Sequence, residues 1–128
     1  MVKKELILDS SFLMVVSRSK LADPLPFESM LASYELVIPR VVVRELEKMS
    51  KGKSSKARNA RVALEITQKY KKIESATGNA DDMIMEISRK RKAVVATLDS
   101  ELISSLGAMQ IPVVTLRKNR LVALGASL

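Results

Sequence analysis

Short apolar runs alternate along this chain with longer segments in which apolar positions recur at helical spacing. The apolar runs predict strands buried on both faces, at residues 6–8, 34–39, 93–96 and 112–116. Strands that alternate with helices predict a parallel sheet covered on both sides. The predicted fold class is therefore α/β, a three-layer α/β/α domain with a central parallel sheet of four or five strands.

Helical patterns and polar breaks fill the intervals between the predicted strands. The predicted helices span residues 12–16, 27–32, 41–49, 56–72, 80–89 and 100–106, and Gly107 is predicted to cap the last one. Breaks are predicted at residues 23–26, 51–55 and 78–79. No repeat or linker interrupts this pattern, so residues 1–128 are predicted to form a single domain.

Composition removes whole classes of chemistry. The chain contains no Cys and no His. Disulfides, thiolate zinc sites, cysteine nucleophiles, imidazole general bases and Ser-His-Asp triads are therefore excluded. Any bound metal must be a hard cation held by oxygen ligands.

The charge balance favours a partner that carries phosphate. Twenty-two Lys and Arg residues against fourteen Asp and Glu residues give a net charge of +8. A domain this basic commonly binds nucleic acid or an anionic surface, although a merely soluble surface has the same composition. No apolar stretch approaches membrane-spanning length, and Glu5 and Asp9 interrupt what would otherwise resemble a signal-peptide core. We therefore expect a cytoplasmic protein with no membrane partner.

Acidic residues recur near the predicted strand ends and helix starts. Asp9 and Asp99 follow apolar strands, Glu45 lies on the helix after the second strand, and Asp81 and Asp82 open the helix before the third. In a parallel sheet these positions meet at one edge. Carboxylates gathered there would repel one another and take up protons unless a cation neutralised them, which Mg²⁺ or Mn²⁺ does with oxygen ligands. The pattern predicts metal-assisted phosphodiester hydrolysis.

Each acid also has an ordinary structural explanation. Asp9, Asp82 and Asp99 are well placed to be helix N-caps. Glu45 could form an ion pair with Lys48, one helical turn further on. The metal hypothesis therefore depends on the acids acting jointly.

Four sequence blocks resemble the signature blocks of the PIN-domain nucleases, in the same order. They lie at residues 7–13, 38–46, 80–84 and 95–99. The Ala-Asp-Asp block, and the Glu-Leu-Glu-Lys segment with its basic loop, are more similar to archaeal relatives of the small-subunit rRNA-processing nucleases than to VapC-type toxins. The resemblance implies a PIN-like fold.

The resemblance also assigns roles to residues of this chain. It implies that the catalytic and metal-binding acids are Asp9, Glu45, Asp82 and Asp99, with Asp81 as the alternative to Asp82. Ser11 and Thr97 are expected to orient ligands or water from behind the metal-binding acids. The implied activity is a Mg²⁺- or Mn²⁺-dependent endoribonuclease that cleaves single-stranded RNA and leaves a 5′-phosphate. A homodimer, an antitoxin or a ribosome-assembly partner is expected on the same ground.

A basic run follows the second acid. Residues 48–64 contain no Asp or Glu, and the predicted RNA-binding side chains are Lys48, Lys51, Lys53, Lys56, Arg58 and Arg61. The structural alternative is a solvated helix face. Because aromatic residues for base stacking are nearly absent, the predicted RNA binding is dominated by the backbone, with a salt slope of roughly −0.7 per phosphate neutralised.

Three other functions remain open. A catalytically silent RNA-binding factor for ribosome assembly would bind RNA without cleaving it. A VapC-type toxin ribonuclease would share the same active site. A phosphoacceptor receiver domain also places acids at strand ends, but it needs a Lys after a later strand, and none fits cleanly here.

Overall fold

Six strands and five helices make up the part of the chain that the computed structural model describes, residues 3–18, 32–75, 78–118 and 120–125. The strands are β1 (Lys4–Leu8), β2 (Tyr34–Pro39), β3 (Lys71–Ile73), β4 (Val94–Ala96), β5 (Val113–Arg117) and β6 (Arg120–Leu124). The helices are α1 (Ser10–Arg18), α2 (Arg40–Met49), α3 (Ser55–Thr67), α4 (Ala80–Arg91) and α5 (Ser100–Ala108).

The strands form one sheet in the order β3-β2-β1-β4-β5-β6. All neighbours pair in parallel except β5 and β6, which are antiparallel. Helices α1, α2 and α3 pack against one another, and α4 contacts α5, β1 and β4. The predicted three-layer α/β/α fold with a central parallel sheet is therefore confirmed.

The hydrophobic core is built on the three central strands. Leu6 and Ile7 of β1, Val37 of β2, and Val94 and Val95 of β4 have no exposed surface. Strands that are covered on both faces have continuous apolar sequences, which is why the sequence alone predicts these three strands. Burying a side chain of this size stabilises the fold by about 1.5–3 kcal/mol.

The order of the strands positions a ligand site. From β1 the chain adds β2 and then β3 toward one edge of the sheet. It then returns to place β4 on the other side of β1, and β5 and β6 continue toward the opposite edge, so the direction of winding reverses between β1 and β4. Ligands of open α/β sheets bind in the crevice beyond the carboxyl ends of the strands at such a reversal. In this protein that crevice begins directly after Leu8 and Ala96.

The helix predicted over residues 56–72 is too long at its carboxyl end. Helix α3 stops at Thr67, and Lys71–Ile73 form the edge strand β3 beside β2. The Lys72 ammonium group donates hydrogen bonds to the carbonyls of Thr67 and Tyr70 and so closes the helix end. Pairing with β2 overrides the local helical pattern here.

The predicted cap at Gly107 is also wrong. Helix α5 continues to Ala108, and Gln110 adopts the left-handed conformation, with φ 60°. The Ile111 N–H bonds to the Leu106 carbonyl at 2.9 Å and the Gln110 N–H to the Gly107 carbonyl at 3.0 Å, which is a Schellman ending. Burial of Ile111 in the core fixes this ending two residues later than the glycine suggested.

The sheet is larger than the predicted four or five strands because β3 and β6 extend its two edges. Both are short or half-exposed, so their apolar patterns are weak. The predicted loop at 23–26 and most of the predicted helix at 27–32 lie outside the described residues. Within the described ranges, no helix has the length and apolar content needed to cross a bilayer.

Candidate active site

Asp9 stands where β1 passes into α1. Its N–H donates to the Ala96 carbonyl of β4 at 3.0 Å, which continues the parallel pairing by one residue. Its carbonyl accepts the Leu13 N–H at 3.1 Å, the first hydrogen bond of α1. The backbone is thus anchored to both elements, and the residue is only 3% exposed.

Two hydroxyl groups orient the Asp9 carboxylate. Ser11 Oγ donates to Asp9 Oδ2 at 2.8 Å, and Thr97 Oγ1 donates to the same oxygen at 2.7 Å. Each hydroxyl also accepts a backbone N–H, from Leu98 at 3.0 Å and from Asp99 at 3.1 Å. Since each hydroxyl has one proton, both protons are directed at Oδ2. Asp9 Oδ1 accepts no hydrogen bond from the described residues, so it is the oxygen left for a ligand.

The Asp9 carboxylate therefore does not behave as an N-cap. Among the described residues it bonds to hydroxyl groups and to no amide of α1. Asp99 does cap its helix: its Oδ1 accepts the N–H groups of Glu101 at 2.9 Å and Leu102 at 3.3 Å. That bonding uses one oxygen of Asp99 and leaves Oδ2 without a bond to a described residue.

Glu45 reaches the site from α2. Its Oε1 accepts a hydrogen bond from Ser10 Oγ, the residue directly after Asp9. The alternative ion pair with Lys48 does not form among the described residues. Ser10 was not singled out from the sequence, although its place between Asp9 and Ser11 was the available signal.

The structure separates the two neighbouring acids of α4. Asn79 caps this helix, because its Oδ1 accepts the N–H groups of Asp81 at 2.8 Å and Asp82 at 3.3 Å. Asp81 is half-buried, whereas Asp82 is exposed. Burial raises the pKa of Asp81, and the charges of Asp99, Asp9, Glu45 and Asp82 raise it further.

The raised pKa of Asp81 indicates which other carboxylates lie near it. Its carboxyl group is repelled by Asp9 after β1, Glu45 of α2, Asp99 between β4 and α5, and Asp82 of its own helix. Asp81 is therefore near acids from separate elements, and it is the more buried of the two acids of α4. Which of the two binds metal stays a prediction.

The donor set suits a hard cation. Every acid near Asp9 offers carboxylate oxygen, Asp9 Oδ1 has no partner among the described residues, and a positive charge would offset the repulsion that Asp81 experiences. As the side chains stand, no three acids of the described residues form a closed ligand set. In chemistry, the residues present fit Mg²⁺ or Mn²⁺.

The predicted RNA-binding residues divide into two groups. Lys48, Lys51, Lys53 and Lys56 are exposed and make no ion pair with a described residue. Arg61 Nη1 donates to the carbonyls of Ser50 at 2.6 Å and Gly52 at 3.1 Å. Arg58 donates to the Lys53 carbonyl at 3.3 Å and to Ser55 Oγ at 3.4 Å. The two arginines shape the loop between α2 and α3, and the lysines remain available to solvent.

Carboxylates from several elements thus lie near the switch point of a largely parallel sheet. The family model described as "PIN like domain" matches residues 6–119, and the chain belongs to that family. The resemblance of the four sequence blocks is thereby confirmed at the level of the family.

Two solved structures have folds similar to that of this chain. One is described as the PIN domain endonuclease Utp24; it is 21% identical, with a TM-score of 0.73 over 95% of this chain and 92% of that one. The other is a domain of a functionally unknown protein from Methanocaldococcus jannaschii, 17% identical, with a TM-score of 0.67 over 89% of this chain and 91% of that one. No curated protein sequence matches this chain. The likenesses show that this chain has the fold of a PIN domain nuclease.

Proposed function

We propose that this protein is a divalent-metal-dependent endoribonuclease that cleaves single-stranded RNA in RNA processing. The observation that carries the proposal is the set of acids from separate elements that act on Asp81 around the buried Asp9. Membership of the PIN-like family supports a nuclease, and the similar structure described as a PIN domain endonuclease supports the endonucleolytic mode. The absence of His and Cys leaves carboxylate-bound metal as the available chemistry.

The ligands would be Asp9, Asp81, Asp99 and Glu45, with Asp82 at the exposed margin. When bound, Mg²⁺ or Mn²⁺ supplies a water of lowered pKa and neutralises charge at the phosphate. Asp9 would provide Oδ1, because Oδ2 is occupied by two hydroxyl groups. Asp99 would provide Oδ2, because Oδ1 caps α5.

The uncharged neighbours hold these acids in place. Ser11 and Thr97 fix the rotation of the Asp9 carboxylate, and Ser10 holds Glu45 toward it. Such hydroxyl groups orient the reactive oxygens before substrate arrives. The exposed lysines after Glu45 supply the electrostatic attraction for an RNA backbone.

Cleavage assays with mixed single-stranded RNAs test this function. We expect cleavage with Mn²⁺ or Mg²⁺, none with excess EDTA, recovery when Mn²⁺ is restored, and products that carry a 5′-phosphate. A fully double-stranded RNA of the same sequence serves as the control and is expected to stay intact.

Retention of RNA binding with no metal-dependent cleavage over hours would contradict the enzyme and support the silent ribosome-assembly factor. A small antitoxin gene beside this one would support a VapC-type toxin instead of a processing enzyme. We also propose a cytoplasmic location, a homodimer, and a protein partner that is either an antitoxin or a ribosome-assembly protein.

A further inference from the structure

A surface cleft of about 340 Å³ lies beside the carboxylates. One wall is a face of α2 with residues one turn apart, and the other is the start of α4. Its lining residues are Val41, Arg44, Glu45, Lys48, Gly78 and Ala80. Because Glu45 lines the cleft and also bonds to Ser10 next to Asp9, the cleft adjoins the candidate active site.

Arg44, which lines this cleft, has an unfulfilled hydrogen-bonding group. Its Nη2 is buried and has no hydrogen-bond partner, the one such side-chain nitrogen or oxygen among the described residues. A buried donor without an acceptor is costly, so native proteins rarely keep one that does no work. An acceptor brought by a ligand would satisfy it if the guanidinium group turned to expose Nη2 to the cleft.

Neither cation of the cleft is neutralised within the described part of the chain. Arg44 and Lys48 form no ion pair there, whereas Arg40 pairs with Glu74 at 2.6 Å and Arg91 pairs with Glu5 at 2.7 Å. The cleft is therefore lined by two cationic side chains that have no anionic partner among the described residues.

The chemistry of the lining favours a phosphate over a base. The cleft offers no aromatic surface on which a base could stack. A guanidinium group beside an ammonium group matches the oxygens of a phosphodiester, and Arg binds such groups through paired hydrogen bonds. We propose that Arg44 and Lys48 bind a backbone phosphate of the RNA strand next to the phosphodiester that is cleaved. This inference rests on the proposed ribonuclease function. It adds to the candidate active site a neighbouring subsite that positions the RNA substrate.

Binding in EDTA tests the subsite without any cleavage. The RNA affinity is measured by fluorescence anisotropy with a labelled single-stranded RNA. The proteins compared are the wild type, Arg44→Gln, Lys48→Gln and the double variant. The control is Lys69→Gln, which removes an exposed charge outside the cleft. The double variant is expected to bind about tenfold more weakly, with the slope of log affinity against log salt reduced by about 0.7 for the lost phosphate contact. Lys69→Gln is expected to keep the wild-type slope.

Neutral linkages locate the phosphate. In Mn²⁺ assays at a mapped cleavage site, one methylphosphonate beside the cleaved linkage is expected to slow the wild type about tenfold through KM, and to add no loss in the double variant. Equal effects in both proteins would overturn the subsite. The melting temperature of Arg44→Gln is expected to hold, because the buried Nη2 has no partner to lose.

The outcomes separate the subsite from the function. Wild-type cleavage combined with a double variant that matches Lys69→Gln in affinity and slope overturns the subsite alone. A lowered melting temperature of Arg44→Gln with unchanged RNA affinity assigns Arg44 to the fold and also overturns it. A wild type that binds no RNA removes both proposals.

Discussion

Asp9→Asn is expected to abolish RNA cleavage while RNA binding and folding persist. The substitution keeps the shape of the side chain and can still accept the protons of Ser11 and Thr97. It removes the negative charge of the most buried acid of the site, which has 3% exposure. We expect kcat to fall on the order of a thousandfold or more, because a metal ligand that acts jointly with others cannot be replaced by them.

The measurements are the cleavage rate in Mn²⁺, RNA affinity in EDTA, and the melting temperature. The melting temperature is expected to change by less than about 4 °C, the shift that 1 kcal/mol causes in a domain of this size. Glu101→Gln, which removes an exposed charge from the first turn of α5, is the control and should cleave like the wild type. An Asp9→Asn protein that fails to fold would make Asp9 a structural residue instead.

Asp81→Asn is expected to lose far more activity than Asp82→Asn. The two residues are adjacent, open the same helix and carry the same charge, so they are matched controls for each other. Asp81 is half-buried whereas Asp82 is exposed, and the charges of Asp99, Asp9 and Glu45 raise the pKa of Asp81. We expect a loss of about a hundredfold or more for Asp81→Asn and less than about threefold for Asp82→Asn in kcat/KM with Mn²⁺. The reverse order would place the ligand on the exposed side of α4.

The same substitution has a stability signature with a defined sign. The pKa of Asp81 lies above its usual 3.8 in the folded protein, first because of burial and then because of nearby carboxylates. Between the unfolded and folded pKa values the folded state binds more protons, so stability falls as pH rises through that window. Ionised Asp81 therefore costs stability at pH 7.

Asp81→Asn is accordingly expected to melt at a higher temperature than the wild type at pH 7 in EDTA. The difference should shrink as the pH falls below the usual pKa of Asp, where both proteins are neutral at this position. Asp82→Asn should raise the melting temperature less. A lowered melting temperature for Asp81→Asn at pH 7 would mean that this carboxylate makes a stabilising contact.

Much of this arrangement follows from local rules of sequence. Leu6, Ile7 and Leu8 form a short apolar run, and an acid directly after it has to lie at the carboxyl edge of a buried strand. The same reasoning placed Asp99 after β4. A parallel sheet then brings the two acids together, because β1 and β4 are neighbours.

The finer details depend on contacts that local rules do not contain. Which of Asp81 and Asp82 faces inward depends on the start of α4, since one residue turns a helix by about 100°, and Asn79 sets that start. The edge strand at Lys71–Ile73 exists because β2 offers it a partner. The Arg44 Nη2, which has no partner among the described residues, is a property of packing that no residue pattern reveals.

A crystal grown with Mn²⁺ and measured for anomalous scattering tests most directly whether these carboxylates hold a metal. The predicted result is a Mn²⁺ peak beyond the carboxyl ends of β1 and β4, with Asp9 Oδ1 and an oxygen of Asp81 or Asp99 at about 2.1 Å. The peak should vanish in Asp9→Asn crystals. A Mn²⁺-saturated crystal with no peak near Asp9, or with a peak that survives the substitution unchanged, would contradict the metal site.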